Sequence, residues 1–361
     1  MERRKFLTGA ALAGTGAALA APAVAQGVKT ITVVSTWTRD FPGLGISAQR
    51  LCARIDAISG GALKTEYFAA GEKVGAFDSF DEVAAGNSHA YIAAEYYWGG
   101  KHAGYNYFTS VPFGMTTPEW NAWIKFKGGQ ELWDELAAGF NLKAFTCGGT
   151  GAQCGGWFNK EINSPEDLQG LKMRIPGLGG TVLSKLGVST VSLPGGRIYE
   201  NLVSGSIDAT EWFGPYNDYY MKFYEAAKYY YTGGMHEPGG GLGFGMNLDF
   251  YNNLTDHERA VIEAACMEEN AAQPEEAMAN NGKYLKKLVY DRGTQLRSFN
   301  DDVWDAFGDA AAEVFEETRQ HSDLTARIND SYQAALRDIG GFRAIAEIEF
   351  SQQRNRVLGL T

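Results

Sequence analysis

The strongest constraint on this chain is a strand-then-helix alternation that runs, stops at a glycine-rich turn and starts again. Residues 30–37 are β-branched and alternating, which predicts a strand, and 47–58, with Leu51, Ile55 and Ile58 at helical spacing, predict the helix after it. Strands at 63–68 and 89–94 follow, with a helix around 80–85 between them, then a helix over 120–138 and a strand at 141–146. Beyond Gly148-Gly149-Thr150-Gly151 the pattern resumes. It gives a strand at 155–159, a helix start at Ser164-Pro165-Glu166-Asp167, strands at 171–175, 188–193 and 207–213, and helices at 180–186 and 197–204. Such alternation predicts an α/β protein with mostly parallel sheets. An apolar strand at 242–248 turns back toward the first lobe, and helices follow at 256–266, on to 290, and over 301–336. On the last of these, Trp304, Phe307, Ala311, Val314 and Phe315 form one stripe, which marks core rather than a cofactor box.

The first 25 residues read as an export leader, with Arg3-Arg4 and Phe6-Leu7 ahead of a weak Ala/Gly/Leu stretch and Ala23-Val24-Ala25 before Gln26. The paired arginines favour the twin-arginine route over an ordinary secretory leader. The leader carries a net +2, from Glu2 against Arg3, Arg4 and Lys5, so its removal takes the formal charge from -11 to -13. So acidic a chain argues against nucleic acid or an anionic membrane as partner. Later apolar runs are too short to span a bilayer. Of the four cysteines, Cys147 and Cys154 can be drawn as a disulfide or as two buried thiols, and no zinc spacing is present.

Chemistry concentrates at strand ends. In the run 171–175, Lys172 and Arg174 share one face, and Arg174 emerges at the carboxyl end, where open α/β sheets bind ligands. A guanidinium there suits a carboxylate, held by charge-assisted hydrogen bonds; the plain alternative is a surface salt bridge. Glu211 ends the strand-like run before Gly214-Pro215, Glu237 precedes Pro238 in a Gly/Pro loop, and Gln153 follows the glycine-rich turn. Each acid alone reads as a solvated loop residue. Together, amide and carboxylate oxygens without a histidine suit Na⁺ or Ca²⁺ beside a small carboxylate. The glycines of 239–245 match neither nucleotide-loop pattern. The five histidines are scattered, no nucleophile elbow occurs, and Tyr96-Tyr97-Trp98 can wall a pocket or simply pack.

The stretches that hold Gln153, Arg174 and Glu211 carry more than this. GGTGAQCGGWFNKEINSPEDLQGLKMRIPG and GSIDATEWFGPYND closely resemble the periplasmic solute-binding subunits of tripartite ATP-independent periplasmic (TRAP) transporters, the DctP-like family. TGxQxGGWF, DATEWxGPY and YYWG are similar to the branch binding 2-oxo acids such as pyruvate, beside a branch that binds lactate with calcium. The resemblance covers essentially the whole mature chain. It implies a two-lobed periplasmic-binding-protein fold with hinge strands and a long C-terminal helix spanning both lobes. The division it suggests is lobe I over 26–152, lobe II over 153–234, a return to lobe I over 235–300, and C-terminal helices across the lobes over 301–361. It further implies that Arg174 clamps the substrate carboxylate, with Tyr97 as a second substrate contact. Gln153, Glu211, Glu237 and the Trp212 carbonyl would hold Na⁺ or Ca²⁺ against the substrate. Glu95 and Gly100, beside the aromatic run, depart from the branch pattern and leave the length of the acid open. The expected protein is a periplasmic receptor, not an enzyme, serving TRAP permease subunits, with a homodimer through the C-terminal helices in view. An exported metal-dependent enzyme acting on 2-oxo acids and a sensor ectodomain are the alternatives.

Overall fold

The structure, a computed structural model, describes residues 27–360; the leader assigned to 1–25 lies outside them. In chain order the strands are β1 (Lys29–Ser35), β2 (Leu63–Phe68), β3 (Ala90–Ala93), β4 (Leu142–Gly151), β5 (Gly156–Phe158), β6 (Lys172–Arg174), β7 (Ser189–Val191), β8 (Ala209–Thr210), β9 (Tyr229–Tyr231), β10 (Gly240–Asn247) and β11 (Gln295–Arg297). They form a five-stranded sheet, β2-β1-β3-β10-β4, and a six-stranded sheet, β11-β9-β5-β8-β6-β7, one in each lobe.

Both sheets are mostly parallel, each with one strand running the other way. β10 runs against β3 and β4, and β5 runs against β8 and β9. The cause is the crossing between lobes: the chain goes out through β4 into β5 and comes back through β9 into β10, so each sheet takes in one strand opposed to its neighbours. Residues 235–300 also divide differently from the expected return to lobe I, since β11 pairs with β9 at the edge of the second sheet. The helix Asp256–Lys286 explains this. Its 31 residues span about 46 Å at the α-helical rise. It packs on the helix Leu44–Ile58 and β4 in the first lobe and on the helix Pro215–Met221 in the second, which delivers the chain to the far sheet. A capping box of Thr255 and Glu258 starts it, and it runs unbroken through Pro274.

Two expected single helices are pairs. The run 120–138 divides into Thr117–Phe126 and Gly129–Ala138, because Gly128 takes φ 83°, a left-handed conformation that stops the first helix. The run 301–336 divides into Asp301–Arg319 and Asp323–Arg343, where the Ser322 hydroxyl caps the second helix by accepting the Thr325 N–H at 3.0 Å. The first of this pair lies on the second lobe, with Lys185 bonded to Glu313 and Glu317. The second lies on the first lobe, where the Tyr332 hydroxyl accepts the Met115 N–H at 2.6 Å and Asn329 accepts from Tyr107 at 2.9 Å. Phe307, Ala311 and Val314 are buried, and Trp304 and Phe315 pack against them, as core. All four cysteines are free thiols, so Cys147 and Cys154 are not bonded. Among the described residues no helix is long and apolar enough to cross a membrane.

The glycines of β10 are a packing device. A Cβ on Gly241, Gly243 or Gly245 would run into Trp120, Glu95 or Tyr91 respectively, so one face of this central strand is kept bare for large side chains. Glu95 sits there fully buried, its carboxyl accepting the Tyr91 hydroxyl at 3.0 Å. Burial pushes its pKa up to about 8. The folded chain therefore holds this proton more tightly than the unfolded chain, and stability falls as pH rises from the ordinary glutamate range toward 8. Each unit of pKa difference corresponds to about 1.4 kcal/mol. Glu95→Gln should accordingly keep a higher thermal midpoint than the parent at pH 8.5 and show a flatter midpoint-against-pH curve between pH 5 and 8.5; identical curves would refute the assignment.

Candidate functional site

Arg174 and Glu211 are brought together by register. β6 and β8 are parallel, Arg174 pairs with Thr210, and the Glu211 N–H donates to the Arg174 carbonyl at 3.3 Å, so the two side chains leave adjacent strand ends. Both are fully buried, which disposes of the surface salt bridge for Arg174 and the solvated loop for Glu211. The guanidinium donates Nε–H to the Leu193 carbonyl at 3.0 Å and Nη1–H to the Glu211 carboxylate, while Nη2 has no partner. It thus offers a single free N–H edge rather than a complete fork. The strand expected over 207–213 ends at Thr210, because the chain turns inward at Glu211 and Trp212. The Trp212 indole lies 5.3 Å from the Arg174 guanidinium carbon.

Gln153 and Glu237 come from the two crossing segments. The Gln153 N–H donates to the Glu237 carbonyl at 3.0 Å, and the Gly234 N–H to the Gln153 carbonyl at 3.0 Å, so the segments are laced together beside β6 and β8. The Glu237 carboxyl accepts the Thr150 hydroxyl at 3.3 Å. Burial, aided by the charge of Glu211, pushes its pKa up to about 8, although the Tyr96 phenol nearby pulls it down. Gly240 is needed here, because a Cβ would strike the Glu237 carboxylate.

The first lobe closes over these groups with a 3₁₀ turn, Glu95–Trp98. The Tyr97 phenol lies near Arg174: burial raises its pKa to about 12 although the guanidinium pulls it down. Trp37 stands 6.0 Å from Tyr97 and 6.1 Å from Trp212, ring to ring, so the wall is built by both lobes. Arg174, Gln153, Glu211, Trp212, Glu237 and Tyr97 are therefore gathered at one junction. Two neighbours were not singled out from sequence. Tyr96 was half-signalled, as one of a tyrosine pair. His236 was set aside among scattered histidines, yet it is buried with Nε2 3.6 Å from the Glu211 carboxylate, and Glu211, His236 and Glu237 present ligand atoms within 4.8 Å of one another. The expectation of a site without histidine is corrected on this point; the side chain was overlooked because nothing but its neighbour Glu237 marks it.

The junction is rich in buried polar atoms without hydrogen-bond partners: both amide atoms of Gln153, Nη2 of Arg174, Oε2 of Glu211, Nε2 of His236 and Nε1 of Trp212. Such atoms are rare in folded proteins and mark the seat of something that completes them. Oxygens of Gln153, Glu211 and Glu237 fit a hard cation, and the free guanidinium edge fits an anion.

A closed two-lobed α/β body with an incomplete polar site at the junction defines a solute-binding protein. The chain belongs to the bacterial extracellular solute-binding protein family 7, whose model matches residues 34–321. It is 35% identical over 358 residues to the monocarboxylate 2-oxoacid-binding periplasmic protein of Nostoc sp., covering 97% of this chain and 98% of that one. A TRAP periplasmic solute-binding protein from Pseudoalteromonas atlantica T6c, solved with bound sodium and pyruvate, matches with TM-score 0.87 and 35% identity over 90% of this chain and 99% of its own. A TRAP transporter solute-binding protein from Bordetella bronchiseptica RB50, a mixed-occupancy dimer with copurified calcium and picolinate in one active site and the other apo, matches with TM-score 0.90 and 31% identity over 92% and 99%. The fold is thus the periplasmic-binding-protein fold, its long helix Asp256–Lys286 spanning both lobes. The family binds and transports solutes and is not enzymatic.

Arg174→Lys keeps the charge but loses the planar group that bonds Leu193, Glu211 and the free edge together. Calorimetry should show affinity for pyruvate lowered at least ~tenfold, at a temperature where circular dichroism shows the variant folded; unchanged affinity would sink the clamp.

Proposed function

We propose that this protein is the periplasmic receptor of a TRAP transporter, binding a small 2-oxo or 2-hydroxy monocarboxylate together with Na⁺ or Ca²⁺ and handing it to the membrane permease subunits. The observation that carries this reading is the set of buried, unpartnered polar atoms on Gln153, Arg174 and Glu211 beside the Glu237 carboxyl. The relatives bind 2-oxo acids or pyruvate with sodium, and picolinate with calcium, which supports the same ligand class here.

The roles follow from the chemistry of each group. Arg174 receives the carboxylate on its free N–H edge, and Tyr97 contacts the substrate from the opposite lobe. Gln153, Glu211, Glu237 and the Trp212 carbonyl hold the cation, which when bound neutralises the two glutamates and adds a positive centre for the acid's oxygens. The rings of Trp37, Tyr97 and Trp212 keep water out and limit the chain length of the acid. Ligand capture draws groups from both lobes, so it favours the closed arrangement over an open one.

Titration calorimetry with pyruvate, lactate and longer 2-oxo acids, each with and without Na⁺ or Ca²⁺, tests the reading. We expect micromolar or tighter binding of at least one short acid that depends on a cation. No heat with any acid under any of these conditions would reject it.

The receptor also pairs with a second copy through its C-terminal helices. No residue of the segment 344–358 is buried, and Phe342, Ile345, Phe350, Val357 and Leu358 are each more than 60% exposed. A groove along the long helix, lined by Pro274 and the exposed Met267 and Met278, offers apolar surface of the kind that segment covers. The Bordetella relative is a dimer. Sedimentation should give a dimer for the mature chain and a monomer for a chain ended after Arg343; a monomeric mature chain would rule the pairing out.

A further inference from the structure

Asp218 takes no part in the site described above, yet it controls the peptide beside it. The side chain is 1% exposed and lies in the helix Pro215–Met221. Its carboxylate accepts four hydrogen bonds. Oδ2 takes the Trp157 indole N–H at 3.0 Å and the Tyr230 hydroxyl at 2.8 Å, from β5 and β9. Oδ1 takes the main-chain N–H of Phe213 at 3.2 Å and of Gly214 at 3.1 Å. The aromatic donors anchor the carboxylate to the second sheet, and the carboxylate in turn anchors the turn 211–214.

The Phe213 N–H belongs to the same peptide unit as the Trp212 carbonyl. That unit is planar and trans, so its N–H and C=O point to opposite sides. A carboxylate that grips the N–H from the sheet side therefore turns the Trp212 oxygen away from itself. The preceding carbonyl is already committed: Glu211 O accepts the Thr210 hydroxyl at 2.8 Å and Arg174 Nη1 at 3.4 Å. No hydrogen bond from the described residues reaches the Trp212 carbonyl. A carboxyl oxygen accepting at the N–H end also draws electron density toward the carbonyl oxygen, as in any polarised hydrogen-bond chain.

The geometry points to Asp218 as the residue that orients and polarises the Trp212 carbonyl for the cation, a positioning role that rests on the cation site proposed above. A simpler role exists for it, since an acid reaching back to the Gly214 N–H caps the helix start. Capping accounts for one of the four bonds. It does not account for the grip on Phe213 or for the two aromatic donors that fix the carboxylate from behind.

The two roles separate in cation selectivity. The attraction of a carbonyl for an ion grows with the ion's charge, so a weakened Trp212 oxygen is felt more by Ca²⁺ than by Na⁺. Asp218→Asn should lower Ca²⁺ affinity by ~10–100-fold, the usual loss when a partner of a metal ligand is removed, and Na⁺ affinity by clearly less. Both are read by calorimetry at saturating pyruvate, with the thermal midpoint of the cation-free variant measured alongside. Equal losses for the two ions, or none, would overturn the inference while leaving the cation site standing. A parent protein that binds neither ion would overturn both. A measurement on the parent covers the case of a variant that does not fold. In protein labelled with ¹⁵N-phenylalanine, the Phe213 amide proton, identified by its loss in Phe213→Leu, should move downfield when Ca²⁺ is added, because a cation on the carbonyl strengthens the N–H as a donor. An amide that stays in place counts against the inference.

Discussion

The buried pair of Arg174 and Glu211 sets the terms for everything around it. Moving two charges out of water costs several kcal/mol each, and their attraction offsets that only when the remaining hydrogen-bonding positions are filled. Here they are not, since Nη2 and Oε2 have no partners. Glu237 adds a second buried carboxyl, so one guanidinium faces two acids. A monocarboxylate arriving with a divalent cation brings the formal sum to zero. With a monovalent cation one negative charge remains, which a proton on Glu237 would cancel. The site is built to be completed, and its charge balance limits what can complete it.

The parts of this arrangement that depend on short-range pattern were legible in the sequence. Strand parity aimed Arg174, and the Gly-Pro stop after Glu211 marked a strand end, although the strand itself is two residues long. The position of Gln153 in a turn and of Glu237 before Pro238 gave candidate ligands one by one, and the branch motifs joined them. Other features depend on long-range geometry. Asp218 acts through amides four and five residues behind it and through aromatics 61 residues before and 12 after it. His236 gains its role only because β9 and the following turn bring it against Glu211. The mostly parallel sheets followed from the alternation, but the one opposed strand in each did not, since periodicity reports a strand without its direction.

Gln153 and Glu237 tie ligand chemistry to the joint between lobes. Their backbones are bonded to one another, and their side chains face the same cluster. A group that bridges the two side chains would fasten the strands about which the lobes turn. Tyr96 and Tyr97 then close the opposite side, one on Glu237 and one on Arg174. Loading and closure would thus be facets of one set of contacts.

The paired helices near the C-terminus carry a mechanical corollary. Asp301–Arg319 is fastened to the second lobe and Asp323–Arg343 to the first, and only Gln320, His321 and Ser322 join them. Three residues, fully stretched, reach roughly 10 Å. That link works like the stay on a casement window. The lobes can swing about this corner, but they cannot part at it, so the cleft must gape on the side away from the stay and by an angle that the stay limits.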